Sequence, residues 1–168
     1  LIDCAGIRLQ EATDALDGFG KIYKMMSDAS GVIPQITAVY GTCGGGLAVL
    51  AGLSDFTFME EKNATFFVNS PNALDGNYTE KLDTSSATFQ AQSGVVDFVG
   101  DEETIANGIR QLVSILPANN KTDNSTDTQD DLNRVCPDMS AEIADPALAF
   151  ADISDDNLFI EVKAAYAK

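Results

Sequence analysis

The chain has 168 residues, of which 26 are acidic and 10 basic, giving a formal charge of −16 at neutral pH. So acidic a chain lacks the basic face that neutralises phosphates, which excludes nucleic acid as a partner, and at 45% hydrophobic residues it is too apolar to be disordered throughout. It contains no histidine. Ser-His and Cys-His nucleophilic pairs, His-ligated zinc and an imidazole base are therefore all ruled out.

Leu1-Ile2-Asp3 reads as the end of a strand already under way, as in a segment cut from a longer chain. Small residues follow at Cys4-Ala5-Gly6. Apolar positions then recur at Ala12, Ala15, Leu16, Phe19, Ile22, Tyr23 and Met26, the three-and-four spacing of a helix that Ser30-Gly31 ends. Gly18 and Gly20 each weaken that helix by about 1 kcal/mol relative to Ala, which predicts close packing of this face against a neighbouring element.

Gln35 to Tyr40 is short and rich in β-formers, and it runs into Gly41-Thr42-Cys43-Gly44-Gly45-Gly46 and the apolar stretch Leu47 to Leu53. The pattern is strand, glycine turn, buried helix. Asp55 to Glu60 and Thr65 to Asn69 predict two more strands with a turn at Lys62-Asn63, and Pro71 breaks the pattern. Gly94 to Val99 predicts another strand. Asp101, Glu102 and Glu103 then favour a helix N-terminus ahead of Ile105, Ile109, Leu112, Val113 and Leu116, and Pro117 stops that helix. Alternating strands and helices define an α/β protein built from parallel units.

From Ala118 to Asp131 the composition turns to Asn, Asp, Ser and Thr, the signature of a linker, and most of the acidic excess lies between Asp101 and Asp156. No calcium-loop pattern accompanies it, so those acids read as a solvated surface. The expected organisation is a domain over 1–117, a polar acidic linker over 118–136, and a lead-in over 137–168 to a further domain. Cys4, Cys43 and Cys136 are odd in number and far apart, which argues against a disulfide framework and a Cys-rich metal site and for a reducing, cytoplasmic setting. No apolar stretch approaches the roughly 20 residues of a membrane span, and the start does not read as a signal peptide.

Two small-residue turns, Cys4-Ala5-Gly6 and Gly41 to Gly46, each follow a strand and each open a helix. Such turns leave backbone N–H groups without intrahelical partners, ready for an anion, either a phosphate or the developing charge on a thioester oxygen. The phosphate motifs fail on spacing. Gly46 is followed by Leu47-Ala48 where a P-loop needs Lys-Ser/Thr, and a dinucleotide fingerprint begun at Gly44 needs Gly where Val49 stands. Adjacent strands would set the two turns side by side as a paired oxyanion hole.

At Ala5-Gly6-Ile7-Arg8-Leu9-Gln10-Glu11, Ala29 to Ile36 and Gly41-Thr42-Cys43-Gly44-Gly45-Gly46 the sequence resembles the carboxyltransferase subunits of biotin-dependent enzymes. These include propionyl-CoA and acetyl-CoA carboxylase β subunits and methylmalonyl-CoA decarboxylases. Asp55 to Met59, Phe67-Val68-Asn69-Ser70-Pro71, Ser93 to Val99 and Leu112 to Asn120 continue the likeness in order along the chain. The resemblance implies a truncated crotonase-like (ClpP/crotonase) fold of stacked ββα units. It also implies a reaction moving a carboxyl group between biotin and an acyl-CoA.

Carried over, one backbone donor comes from Ala5-Gly6 and the other from Gly45-Gly46, while Ile7, Gly44, Asn69 and Pro71 lie by the substrate. The family commonly has Gly-Gly before Ala in the first turn; Ala5-Gly6-Ile7 here predicts a narrower acyl pocket. In the family, carboxybiotin releases CO2, the biotin ureido nitrogen takes the α-proton, and the protein stabilises the enolate, which agrees with the missing histidine. The implied partners are acyl-CoA, a biotinyl carrier protein or domain, a biotin carboxylase or membrane decarboxylase subunit, and further copies of the chain, with no metal in this segment. The family's subunit is much longer, so the segment alone is expected to be inactive. The alternative reading is a non-catalytic assembly module whose glycine turns only pack helices. Arg8 and Glu11 are expected to pair, and Cys43 to be a buried packing residue.

Overall fold

The computed structural model describes residues 1–70, 83–122, 133, 135, 146–154 and 159–166. Two compact units divide the chain, Leu1–Thr122 with Lys163–Lys168, and Asp123–Val162. In the second, α5 (Pro146–Ile153) carries Phe150, whose ring lies 6.3 Å from that of Phe159. The rest concerns the first unit.

Its axis is strand β2 (Ile36–Gly44). β1 (Ile2–Cys4) runs parallel to one edge of β2. Two successive strands share the other edge: β3 (Phe56–Glu60) pairs with Ile36 to Val39, and β4 (Thr65–Phe67) with Thr42 to Gly44. β5 (Phe98–Gly100) extends the sheet beyond β3, giving the order β1-β2-β3-β5, parallel throughout. The helices are α1 (Ala12–Ala29), α2 (Gly46–Gly52), α3 (Ala87–Gln92) and α4 (Glu102–Ile115).

The core gathers on β2 and β3, where Val39 and Met59 are fully buried with Cys43, Ala48, Ala51, Phe66, Ala87 and Val96 around them. Each fully buried large side chain contributes roughly 1.5–3 kcal/mol. Helix α4 is capped as its sequence predicts, with the Asp101 carboxylate accepting the Thr104 N–H at 2.8 Å, and it buries Ile105 and Leu112. Gly108 lets the helix approach Phe58, whose ring stacks on Phe98 at 4.4 Å.

Four expectations change. The strand expected over Gly94 to Val99 is confined to Phe98–Gly100, because α3, which the sequence pattern did not reveal, ends there and the N–H groups of Val95 and Val96 both donate to the Gln90 carbonyl. Asp97 then imitates a ladder rung with its side chain, accepting the Thr57 N–H at 2.7 Å and pairing with Lys163 at 2.9 Å. The glycine turn expected over Gly41 to Gly46 is strand as far as Gly44. The first turn does not open α1 directly, since a 3-10 turn at Leu9–Glu11 intervenes. Finally, Gly18 and Gly20 do not pack closely. A Cβ on either would meet nothing within 4 Å, and α1 buries no residue fully, leaving Leu16 and Ile22 exposed.

Among the described residues no helix is long and apolar enough to cross a membrane. The expected linker and Cys136 fall largely or wholly outside the described residues.

The β3–β4 turn is organised by a buried carboxylate. Glu60, 4% exposed, accepts the Asn63 N–H, and that bond, with further ones from Lys62 and Ala64, holds its pKa below the usual carboxylate range against the opposing effect of burial. A depressed folded-state pKa contributes stability that is present above the unfolded value of about 4.3 and is lost as the pH falls through the folded value. Glu60→Gln is therefore expected to be less stable than the parent at pH 7 and to lose less stability on acidification. Urea unfolding between about pH 3 and 7 measures this, and parallel acid limbs would contradict it.

Candidate functional site

β1 and β2 end together, and that brings the two small-residue turns into contact. A Cβ built on Gly6 would lie 3.4 Å from the Gly44 carbonyl oxygen, and one on Gly44 would lie 2.5 Å from the Ala5 carbonyl oxygen. The chains meet backbone to backbone, which only glycine at position 44 permits. Gly6 (φ +129°) and Gly45 (φ +61°) hold conformations that L side chains rarely adopt.

Each residue of the second turn has its own neighbour. The Gly45 N–H donates to the Phe67 carbonyl at 3.0 Å, tying the turn to the end of β4. The Gly46 carbonyl accepts the Tyr23 hydroxyl at 2.8 Å, and a Cβ on Gly46 would strike that hydroxyl at 2.7 Å and the Phe19 ring at 3.0 Å. Helix α1 thus leaves the first turn and returns two aromatic side chains to the second. Among the described residues, no acceptor takes the N–H of Gly6 or of Gly46.

Gly44 is buried, Gly6, Ile7, Gly45 and Gly46 are half-buried, and Ala5 is exposed. Asn69 is exposed two residues past the end of β4; Pro71 lies outside the described residues. Gly6 and Ile7 line an open groove of about 450 Å³ together with Ala15, Gly18, Phe19 and Ile22 of α1. Arg8 and Glu11 stand at its rim and pair at 3.6 Å, as expected, with both side chains well exposed.

The thiol inside the second turn is held neutral. Cys43 is fully buried, and burial, reinforced by Cys4, pushes its thiol up to about 11. Among the described residues no group of three Cys, Asp or Glu could hold a metal ion. The arrangement offers main-chain donors without a base.

Sequence reasoning did not single out Phe67, Phe19 or Tyr23. The aromatic pair at an i, i+4 spacing on α1, facing a run of three glycines, was the available signal, since such a run leaves space for large rings.

The parallel α/β sheet matches solved carboxyltransferase structures, which places the chain in the crotonase-like class. Transcarboxylase 12S, solved as a hexamer with methylmalonyl-coenzyme A and methylmalonic acid bound, superposes with a TM-score of 0.84 at 31% identity, over 99% of this chain and 34% of that one. A Pseudomonas malonate decarboxylase superposes with a TM-score of 0.59 over 77% of this chain at 19% identity, a likeness of fold alone. The chain belongs to the carboxyl transferase domain family, which it matches over residues 1–168. It is 33% identical to the carboxyltransferase subunit of propionyl-CoA carboxylase from Haloferax mediterranei. It is also 33% identical to the α subunit of methylmalonyl-CoA decarboxylase from Propionigenium modestum. In both cases the match spans 100% of this chain and 35% of the relative.

Two outcomes follow from this packing. Gly44→Ala forces the Ala5 and Gly44 backbones apart and is expected to cost about 1–3 kcal/mol, read by chemical denaturation. With its raised pKa, Cys43 stays neutral at pH 8, so iodoacetamide is expected to label exposed Cys4 and spare Cys43 in the folded protein; peptide mass mapping distinguishes them. For a thiol whose pKa folding raises, the contribution to stability is complete below the unfolded value and disappears as pH climbs toward about 11.

Proposed function

We propose that this chain supplies the acyl-CoA half of a carboxyltransferase, moving a carboxyl group between biotin and a small acyl-CoA of the propionyl/methylmalonyl or acetyl/malonyl kind. The observation that carries the reading is the contact between the two turns, Gly6 against Gly44. In this reading the N–H groups of Gly6 and Gly46 grip the thioester carbonyl oxygen and stabilise the charge it gains when the α-carbon loses its proton or carboxyl group. Gly45, whose N–H is engaged by Phe67, sets the turn. Gly44 brings the backbones together, and Ile7, Asn69 and Pro71 border the acyl-CoA.

A site of backbone donors alone fits a reaction whose carboxyl group arrives on biotin, carried by a separate protein or domain. Bound there, biotin supplies both the carboxyl group and the atom that accepts the α-proton. What this chain's own residues do is bind and orient the thioester. In a water-poor site each oxyanion donor is worth about 2.7–4 kcal/mol in the transition state. The wider proposal includes a cytoplasmic setting, a biotinyl carrier, a biotin carboxylase or membrane decarboxylase subunit, and self-association. The chain spans 35% of its curated relatives, so carboxyl transfer is proposed for the larger assembly.

One observation favours the assembly role beside the chemical one. Helix α1 leaves Leu16, Ile22 and Met25 at 60%, 45% and 71% exposure, large apolar side chains available for protein contact. The two roles are compatible.

Calorimetric titration with propionyl-CoA tests the proposal. The protein is expected to bind it, and Gly46→Leu or Gly6→Val, checked for folding by circular dichroism, to bind at least about tenfold more weakly. Equal affinity in a folded variant, or no binding by the parent chain, would sink the reading. The chain alone is expected to transfer no carboxyl group from carboxybiotin; detectable transfer would refute the need for the rest of the assembly.

A further inference from the structure

The two turns meet only because the pairing of β1 with β2 is irregular. Ile2 faces Val39 and Cys4 faces Cys43, so β1 advances two residues while β2 advances four. In a regular parallel ladder Cys4 would face Gly41. The Ala5-Gly6 turn would then fall two residues, about 7 Å, short of Gly44-Gly45-Gly46. A bulge of this kind breaks ladder hydrogen bonds and needs something to hold it.

Asp3 is the residue opposite the bulge. Its Oδ1 accepts the Thr42 N–H at 3.0 Å, supplying from a side chain the acceptor that the interrupted strand does not. The carboxylate reaches Thr42 across Gly41, where a Cβ would lie 2.0 Å from Oδ1 and 2.4 Å from the carboxyl carbon. No residue but glycine admits it. We infer that Asp3, seated against Gly41, is a positioning residue that fixes the β1–β2 register and so sets the Ala5-Gly6 donors level with Gly44 to Gly46. It touches neither substrate nor reacting atoms and acts through Thr42. The functional consequence rests on the acyl-CoA reading above; the structural one does not.

Crystal structures of Asp3→Ala and Asp3→Asn, with calorimetric titration by propionyl-CoA and by free CoA, decide it. Asp3→Asn keeps an Oδ1 acceptor and is expected to preserve the Gly6–Gly44 approach and the parent affinities. Asp3→Ala is expected to separate the turns and to weaken propionyl-CoA about tenfold, the equivalent of one hydrogen bond, while leaving free CoA, which has no thioester carbonyl, unchanged. A general loss of folding would weaken both ligands alike and would not be rescued by Asn. Asp3→Ser, which keeps a polar group but withdraws it from Thr42, takes the place of Asp3→Ala if that variant does not fold. The inference is overturned if the turns stay in contact without the acceptor, if both ligands weaken equally, or if Asn fails to rescue. Should the parent bind no propionyl-CoA, the functional reading fails, and the separation of the turns in the variant still decides the role of Asp3.

Discussion

Parallel pairing of β1 with β2 is the constraint on which the site depends, because it brings residue 5 near residue 44. Apart from the Asp3 carboxylate seated at Gly41, side chains contribute little to the final approach. The Ala5 carbonyl lies where a Cβ on Gly44 would be, so the closeness of the two turns is a main-chain property, purchased by deleting side chains rather than by adding attractive ones. The cohesion comes from one layer further in, where Val39, Cys43, Met59 and Phe66 are buried beneath the strand ends. A site made this way tolerates change in the surrounding side chains and little change in the strand register.

The glycine segment shows why packing and binding are poor alternatives. Gly41 makes room for a carboxylate, Gly44 for a carbonyl, and Gly46 for two aromatic rings, while Gly45 supplies a positive φ. Each of these is a packing function. Together they leave the Gly6 and Gly46 N–H groups without acceptors among the described residues, with Gly6 lining an open groove. The free donors emerge from the packing, so steric placement and the proposed chemistry are not alternatives.

How much of this was legible depended on the range of the interactions. The start of β2, strand β3 and helix α4 with acids at its N-terminus are local patterns of period and charge, and they could be read directly; the two small-residue turns could be located but not delimited. Helix α3 was hidden because Ala87-Thr88-Phe89-Gln90-Ala91-Gln92 is too short for a periodic signal, and the β-formers at Val95 and Val96 drew the strand too far back. The helical period of α1 was right about the element and wrong about its burial. Periodicity reports that a face is apolar, not that the chain in hand contains what covers it. The extension of β2 through Gly41 and Gly44 was invisible because glycine reads as a breaker until its cross-strand partner, here Asp3 or Ala5, is known.

Helix α1 completes the argument. It starts one 3-10 turn after Gly6 and its Phe19 and Tyr23 return to Gly46, so the two donor turns are joined twice, once through the sheet and once through the helix. Leu16 and Met25 of that helix are exposed, while Ala15, Gly18, Phe19 and Ile22 line the groove beside the first turn. The absence of a Cβ at Gly18 then has a physical consequence different from tight packing, since it keeps open the space beside Gly6 and Ile7. A displacement of α1 would therefore be felt at the Tyr23–Gly46 hydrogen bond, which ties that helix to the second turn.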